Sequence, residues 1–333
     1  MANVTVTPSP GVSYLLFFHA VWQSKKSMNK AAISLKLTLG PLRYHLVAHD
    51  DWGKDALSRL RANLKRIPFT GAPDRFLHLL EFRLSSQERE QVYRKRLPDR
   101  LVSILPAGLP RHGWKLIGDD TGHVSWCHPK TFHAIWTYNT ESPHDVASFQ
   151  LPWQPILEDI VKRRGGILHS GLVILGNQGY LLTAPQGGGK TTALSRIPFP
   201  WKVLGDDAAL VWPSEKRSFR ASPLPTWSVL LERNKAIPGT NLCEVTTSFE
   251  IAGIILLRKD DHENISPVQP YKAAQHLYRA FSEHVMVASN RDPFRKNLFY
   301  TACHLTRVVP TWEMGLTRHG DFWTLLQDTF SNA

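Results

Sequence analysis

Two apolar runs dominate the hydrophobic pattern, residues 168–175 and 180–183, joined by the polar, turn-forming stretch Gly176-Asn177-Gln178-Gly179. Apolar runs of four to eight residues bounded by turn formers predict buried strands, and this pair reads as a hairpin. Upstream, strands are expected at 44–48, 76–82, 114–117 and 123–126, the last two forming a hairpin through Gly118-Asp119-Asp120-Thr121-Gly122. Helical spacing runs over 52–64 and over 86–96, where Pro98 ends it, and again over 155–164, where Gly165-Gly166 stops it. Downstream the pattern predicts strands at 203–204, 208–212 and 249–257 and helices at 271–281 and 321–329. Strands this closely spaced do not suit a simple all-parallel nucleotide fold, so the class is mixed α/β. A polar break at Thr140-Glu141-Ser142-Pro143 divides the chain into a smaller α+β domain, 1–150, and a second domain, 151–333.

The second predicted hairpin strand runs directly into Ala184-Pro185-Gln186-Gly187-Gly188-Gly189-Lys190-Thr191-Thr192. Consecutive glycines let backbone N–H groups converge on an anion, and the helix expected next would present its positive end to the same place. Gly187, Gly188, Gly189, Lys190, Thr191 and Thr192 are therefore the candidate nucleotide-binding residues. Lys190 would reach the terminal phosphates, and the Thr191 hydroxyl would ligate Mg²⁺, so ATP and Mg²⁺ are the expected ligands. Ala184 stands where the G-x-x-x-x-G-K-[ST] pattern has its first glycine. The competing reading is a flexible loop that happens to contain lysine and threonine.

Asp206 and Asp207 close a short apolar strand after the loop. Phosphoryl transfer uses one acid to hold the metal and another to accept a hydroxyl proton. Asp206 is taken as the base and Asp207 as the metal ligand, with a plain Gly-Asp-Asp turn as the alternative. The second Gly-Asp-Asp, at 118–120, has no phosphate loop near it and reads as a hairpin turn. His169, on the strand leading toward the loop, and Glu250, opening the 249–257 strand, are further candidate catalytic residues. Each is equally readable as a packed or solvent-facing strand residue.

Composition narrows the class. With 42% hydrophobic residues and eleven tryptophans, 333 residues support well-filled cores rather than disorder. Cys127, Cys243 and Cys303 are widely separated and suggest neither a disulfide framework nor a zinc site. The apolar stretch 14–22 is too short to span a bilayer and lacks a basic segment before it, so it reads as a buried strand in a cytoplasmic protein. The net charge of +12 favours acidic or polyanionic partners. The basic residues at Arg59-Leu60-Arg61, Lys65-Arg66, Arg94-Lys95-Arg96 and Lys162-Arg163-Arg164 are dispersed rather than continuous, which weakens a nucleic-acid reading.

Taken in order, His169, the glycine loop with Lys190 and Thr191, Asp206-Asp207, Pro223-Leu224-Pro225 and Glu250-Ile251-Ala252-Gly253-Ile254-Ile255 resemble the catalytic domain of HPr kinase/phosphorylase, a fold related to phosphoenolpyruvate carboxykinase. The likeness covers about residues 155–330 and is closer to the HPr-kinase-like proteins of peptide-modification cassettes. Among these are the SynChlorMet cassette protein and the lasso-peptide kinases, and the ending from Val309-Pro310 to Gly320-Asp321-Phe322-Trp323 adds to it. The resemblance implies a P-loop kinase domain, with Lys190 and Thr191 on ATP and Mg²⁺, the two aspartates sharing base and metal roles, and His169 and Glu250 in the site. Ala252 replaces the arginine of the Glu-x-Arg-Gly signature, which puts HPr phosphorylation and its phosphorolytic reversal in doubt. HPr kinases form ring-like hexamers, which leaves a homo-oligomer open here.

The function expected from the sequence is Mg·ATP-dependent phosphorylation of a Ser or Thr hydroxyl on a peptide or protein, with the first domain recruiting an acidic substrate. The alternatives are a nucleotide-holding scaffold, a nucleic-acid-associated ATPase and a small-molecule kinase.

Overall fold

Strict alternation builds the first sheet. In β1 (Ser34–Leu39) and β2 (Leu42–Ala48), Leu37, Leu39, Leu42, Tyr44, Leu46 and Ala48 are buried while the residues between them are not. The computed structural model describes residues 33–63, 71–82, 84–119, 123–131, 133–138, 153–215, 217–224, 247–283 and 292–331. The apolar stretch 14–22, the break at 140–143, Lys65-Arg66, Asp120, Thr121, Gly122, Pro225 and Cys243 lie outside these residues, as does the side chain of Arg59. Cys127 and Cys303 are free thiols.

After α1 (Asp51–Asn63) come β3 (Arg75–Glu81), the short helices α2 (Ser86–Tyr93) and α3 (Asp99–Ile104), and then β4 (Lys115–Asp119), β5 (His123–Cys127) and β6 (His133–Tyr138). They form a six-stranded sheet of order β1-β2-β3-β6-β5-β4. The β2–β3 and β3–β6 pairs are parallel and the rest antiparallel. A parallel pair needs a crossover, which α1 supplies between β2 and β3. The predicted β4–β5 hairpin pairs as expected. α2 stops earlier than its sequence pattern suggested, because Lys95 turns to a φ of 59° and Pro98 caps the next helix instead.

α4 (Trp153–Lys162) buries Ile156, Leu157, Ile160 and Val161. It is tied to the first sheet by Asp159, which forms a bidentate pair with Arg75 on β3 and accepts a hydrogen bond from the Tyr44 hydroxyl. Burial opposes the Arg75 charge, but the hydrogen bonds and charge of Asp159 outweigh it and raise the guanidinium's pKa further. The helix ends at a tight junction, where a Cβ on Gly165 would come within 2.3 Å of the Val211 carbonyl oxygen.

The second sheet contains β7 (Gly166–His169), β8 (Gly171–Leu175), β9 (Gln178–Thr183), β10 (Lys202–Gly205), β11 (Ala208–Pro213), β12 (Phe219–Pro223), β13 (Phe249–Lys259), β14 (Asn264–Pro267) and β15 (Thr311–Leu316). Among the described residues four helices accompany it: α5 (Lys190–Ser195), α6 (Pro270–Ser282), α7 (Asp292–Val308) and α8 (Phe322–Ser331). Hydrogen bonding follows the path β10-β8-β9-β13-β12-β11-β7, with β15 on β13 and β14 on β15. Only β9–β13 and β13–β15 are parallel, so the sheet is mixed, as the strand spacing implied.

The predicted 168–175 strand is in fact two strands broken at Ser170. β7 and β8 are one residue apart in sequence yet lie toward opposite ends of the hydrogen-bonded path, so the sheet must curl back on itself. The returning segment bends at the same level: β10 pairs with β8 and β11 with β7, with Asp206-Asp207 at the bend. A cluster of buried apolar side chains reaches from Leu37, Leu39 and Leu46 in the first sheet through α4 to Leu210, Phe219 and Ile254 in the second. No described helix is long and apolar enough to cross a membrane.

Candidate active site

The three glycines are held by different constraints. Gly187 and Gly189 have φ of 73° and 97°, which side chains rarely adopt. A Cβ on Gly188 would lie 2.8 Å from the Pro185 carbonyl oxygen and 2.9 Å from the Ala184 Cβ. The Gly188 N–H donates to that same carbonyl at 2.8 Å, closing the turn. Ala184 is not among the described non-glycine residues at positive φ, and its methyl group is buried with Leu182, Leu194 and Leu316. An alanine there costs the loop nothing and contributes to the core.

Gly189 caps α5, whose register begins with Ala193 N–H donating to the Gly189 carbonyl at 2.8 Å. α5 has only six residues, so its dipole is small and the favourable charge for an anion rests on Lys190. Trp323 on α8 donates from Nε1 to the Ala193 carbonyl at 3.1 Å and holds α5 against the smaller hydrophobic cluster.

The two bends of the curled sheet bring the acidic residues and the histidine together. His169 ends β7 opposite Ala208, and the Ser170 N–H donates to the Asp207 carbonyl at 3.1 Å. His169 Nε2 then lies 3.3 Å from Asp207 Oδ1, while its Nδ1 is hydrogen-bonded to Glu283 Oε2. Lys190 Nζ lies 3.8 Å from the same Asp207 oxygen. Asp206 is only 5% exposed, whereas the Asp207 side chain is 45% exposed.

Together with Lys259 and the loop, His169, Lys190, Thr191, Thr192, Asp206 and Asp207 line a cavity of about 450 Å³. Lys190 is the telling group there. Its side chain is 11% exposed, and among the described residues its ammonium nitrogen is buried without a hydrogen-bond partner. Burial pushes its pKa down, and Asp207 and then Asp206 partly restore it. An ammonium buried without hydrogen bonds, even with Asp207 3.8 Å away, is costly unless a ligand supplies them, and phosphate oxygens match three N–H donors on a point charge.

Glu250 is not brought to this cavity. β13 runs parallel to β9 with Glu250 beside Gln178 and Leu256 beside Thr183, so Glu250 sits about 20 Å from the loop end of the strand. It is exposed and pairs in register with Arg220. The strand reaches the cavity with its other end, through Lys259. Lys259 and Glu283 were not singled out in the sequence: the first ends an ordinary strand, and the second lies 114 positions from its partner His169.

The donors fit a metal that arrives with its ligand. Among the described residues no three His, Cys, Asp or Glu side chains converge as a cation cage. Mg²⁺ is commonly held by one or two carboxylates with phosphate oxygens and water, and Asp206 with the Thr191 hydroxyl are the groups lining the cavity that suit this.

Comparison with known proteins gives three findings. Among solved structures the chain is similar to the Hpr(Ser) kinase/phosphatase from Coxiella burnetii, at 11% identity and a TM-score of 0.27, over 50% of this chain and 93% of that one. No curated protein matches it. Residues 138–331, more than half of the chain and all of the candidate active site, match a protein family, and the chain belongs to that family, the SynChlorMet cassette protein ScmC.

Proposed function

We propose that this protein is a kinase that transfers the γ-phosphoryl group of ATP to a Ser or Thr hydroxyl of a peptide or protein, as one step of a peptide-modification cassette. The observation that carries the reading is the Lys190 ammonium, buried without a hydrogen bond among the described residues and 3.8 Å from Asp207, in a cavity walled by the glycine loop and two carboxylates. Lys190 and the loop N–H groups take the charge of the phosphates. Mg²⁺, bound through Asp206 and Thr191, would supply Lewis-acid neutralisation of the β- and γ-phosphate oxygens.

The geometry favours exchanging the roles expected from the sequence. A base must meet a hydroxyl carried by a bulky acceptor, and Asp207 is half exposed at the cavity wall while Asp206 is nearly sealed. Asp207 takes the hydroxyl proton, the hydroxyl oxygen bonds to the γ-phosphorus, and the bond to the β,γ-bridging oxygen breaks to release ADP. His169 on Asp207 orients the carboxylate.

The test is transfer of label from γ-labelled Mg·ATP to acidic Ser- and Thr-containing peptides, with calorimetric nucleotide binding measured in parallel. Asp207→Asn is expected to bind Mg·ATP nearly normally and lose roughly 10²–10⁴-fold in rate. Nucleotide binding without transfer to any acceptor would favour a scaffold, and full activity in Asp207→Asn would remove the base assignment.

A further inference from the structure

We propose that Glu283 is a positioning residue for phosphoryl transfer, acting on Asp207 through His169; this rests on the kinase reading above. Glu283 is the first residue after α6 and caps that helix, its N–H donating to the Arg279 carbonyl at 3.2 Å. His169 ends β7, and its backbone is fixed on two sides: it pairs with Ala208, and its carbonyl accepts from the Thr183 hydroxyl at 3.3 Å. The main chain therefore sets where the imidazole starts but not how the ring is turned.

Glu283 sets the turn. An ionised carboxylate only accepts hydrogen bonds, so Nδ1 donates to Glu283 and, by the same rule, Nε2 donates to Asp207. With Nδ1 held, Nε2 is aimed at Asp207 Oδ1, 3.3 Å away. The same Asp207 oxygen also faces Lys190 at 3.8 Å, so the carboxylate is placed between the lysine that meets phosphate and the histidine that Glu283 orients. A carboxylate that fixes the orientation and tautomer of a working histidine is a recurrent device. Here it links the end of α6 to the bend of the curled sheet, so a helix that lends no side chain to the cavity lining sets the pose of a group inside it. Without Glu283 the ring loses its Nδ1 acceptor, and the neighbour of Asp207 is held less closely.

The experiment uses the full chain and the variants Glu283→Ala, Glu283→Gln, His169→Ala and the double variant Glu283→Ala/His169→Ala. Mg·ATP affinity, KM, kcat and thermal midpoint are measured, together with the ¹⁵N imidazole signals of His169. Glu283→Ala is expected to lower kcat roughly 10- to 100-fold, the usual scale for removing such an orienting partner, with ATP affinity and thermal midpoint unchanged. Glu283→Gln, whose amide oxygen accepts from Nδ1–H, should recover most of the rate. In the His169→Ala background Glu283→Ala should add no further loss. The His169 Nδ1 signal should shift in Glu283→Ala and much less in Glu283→Gln. Additive losses, or an unchanged Nδ1 signal in Glu283→Ala, overturn the proposal. If wild-type protein transfers no phosphate, the kinase reading fails by itself, and the nitrogen signals still decide whether Glu283 holds His169.

Discussion

Lys190 stands in conflict between stability and function. Among the described residues its ammonium is buried with no hydrogen-bond acceptor, and burial already pulls its pKa down. A methionine of similar length would bury the same stem without the charge. Lys190→Met is therefore expected to raise the melting temperature of the ligand-free protein by about 1–2 °C, the shift that roughly 1 kcal/mol produces in a chain of this length. Differential scanning calorimetry checks this, and a lower melting temperature would mean that the ammonium already has its partners. Ala184 makes the converse point. It departs from the glycine pattern of the loop, yet its backbone needs no glycine and its methyl group fills a buried niche. Sequence pattern marks the departure, and only packing shows it to be harmless.

At the scale of elements, the first sheet carries a chain of imidazoles that the site does not use. His49 Nε2 meets His78 Nδ1 at 2.9 Å, and His78 Nε2 meets His133 Nδ1 at 2.9 Å, linking the end of β2 to β3 and β6. Burial, reinforced by His49 and His133, pushes His78 from its ordinary value of 6.5 down to about 3, and burial lowers both neighbours as well. The unfolded chain then binds protons below pH 6.5 that the folded chain refuses. The contribution is complete above that pH and is lost progressively as pH falls toward 3, at up to about 1.4 kcal/mol per pH unit for each histidine. Urea midpoints between pH 7.5 and pH 5 should fall steeply in wild type and less steeply in His78→Phe, although that variant starts lower because it leaves two imidazoles unpaired. Equal slopes would show that the chain is not neutral in the native state.

The same scale shows what was legible. The β8–β9 hairpin, α4 and the strand of Ala208–Pro213 follow from apolar runs between turn formers, because local pattern determines local structure. The break at Ser170 was not legible, since 168–175 reads as one apolar run and only the curl of the sheet divides it. α7, at seventeen residues the longest described helix, was missed because Thr301 and Thr306 fill part of its buried stripe. His169, Lys190 and the aspartates stood out by residue type and spacing. Glu283 and Lys259 did not, because their roles come from contacts between distant parts of the chain. Glu250 stood out for its place at a strand end, but the parallel register with β9 sends that end away from the loop.

For the whole molecule, the division expected near residue 150 runs through a shared interior. Leu37, Leu46 and Leu79 belong to the same buried cluster as Ile156, Leu210 and Ile254, and Arg75 on β3 pairs with Asp159 on α4. The family match begins at residue 138, so most of the first sheet lies outside it while packing against what lies inside. On the proposed reading, a charge of +12 over the chain would favour acidic acceptors and the nucleotide itself. The claim on which everything else depends is that this molecule holds a nucleoside triphosphate at Lys190. Titration calorimetry of Mg·ATP into the full chain tests it most directly: one site per chain is predicted, with affinity reduced at least about tenfold in Lys190→Met, equivalent to roughly 1.4 kcal/mol. No binding to the wild-type chain, or equal affinity in the two proteins, would contradict the account.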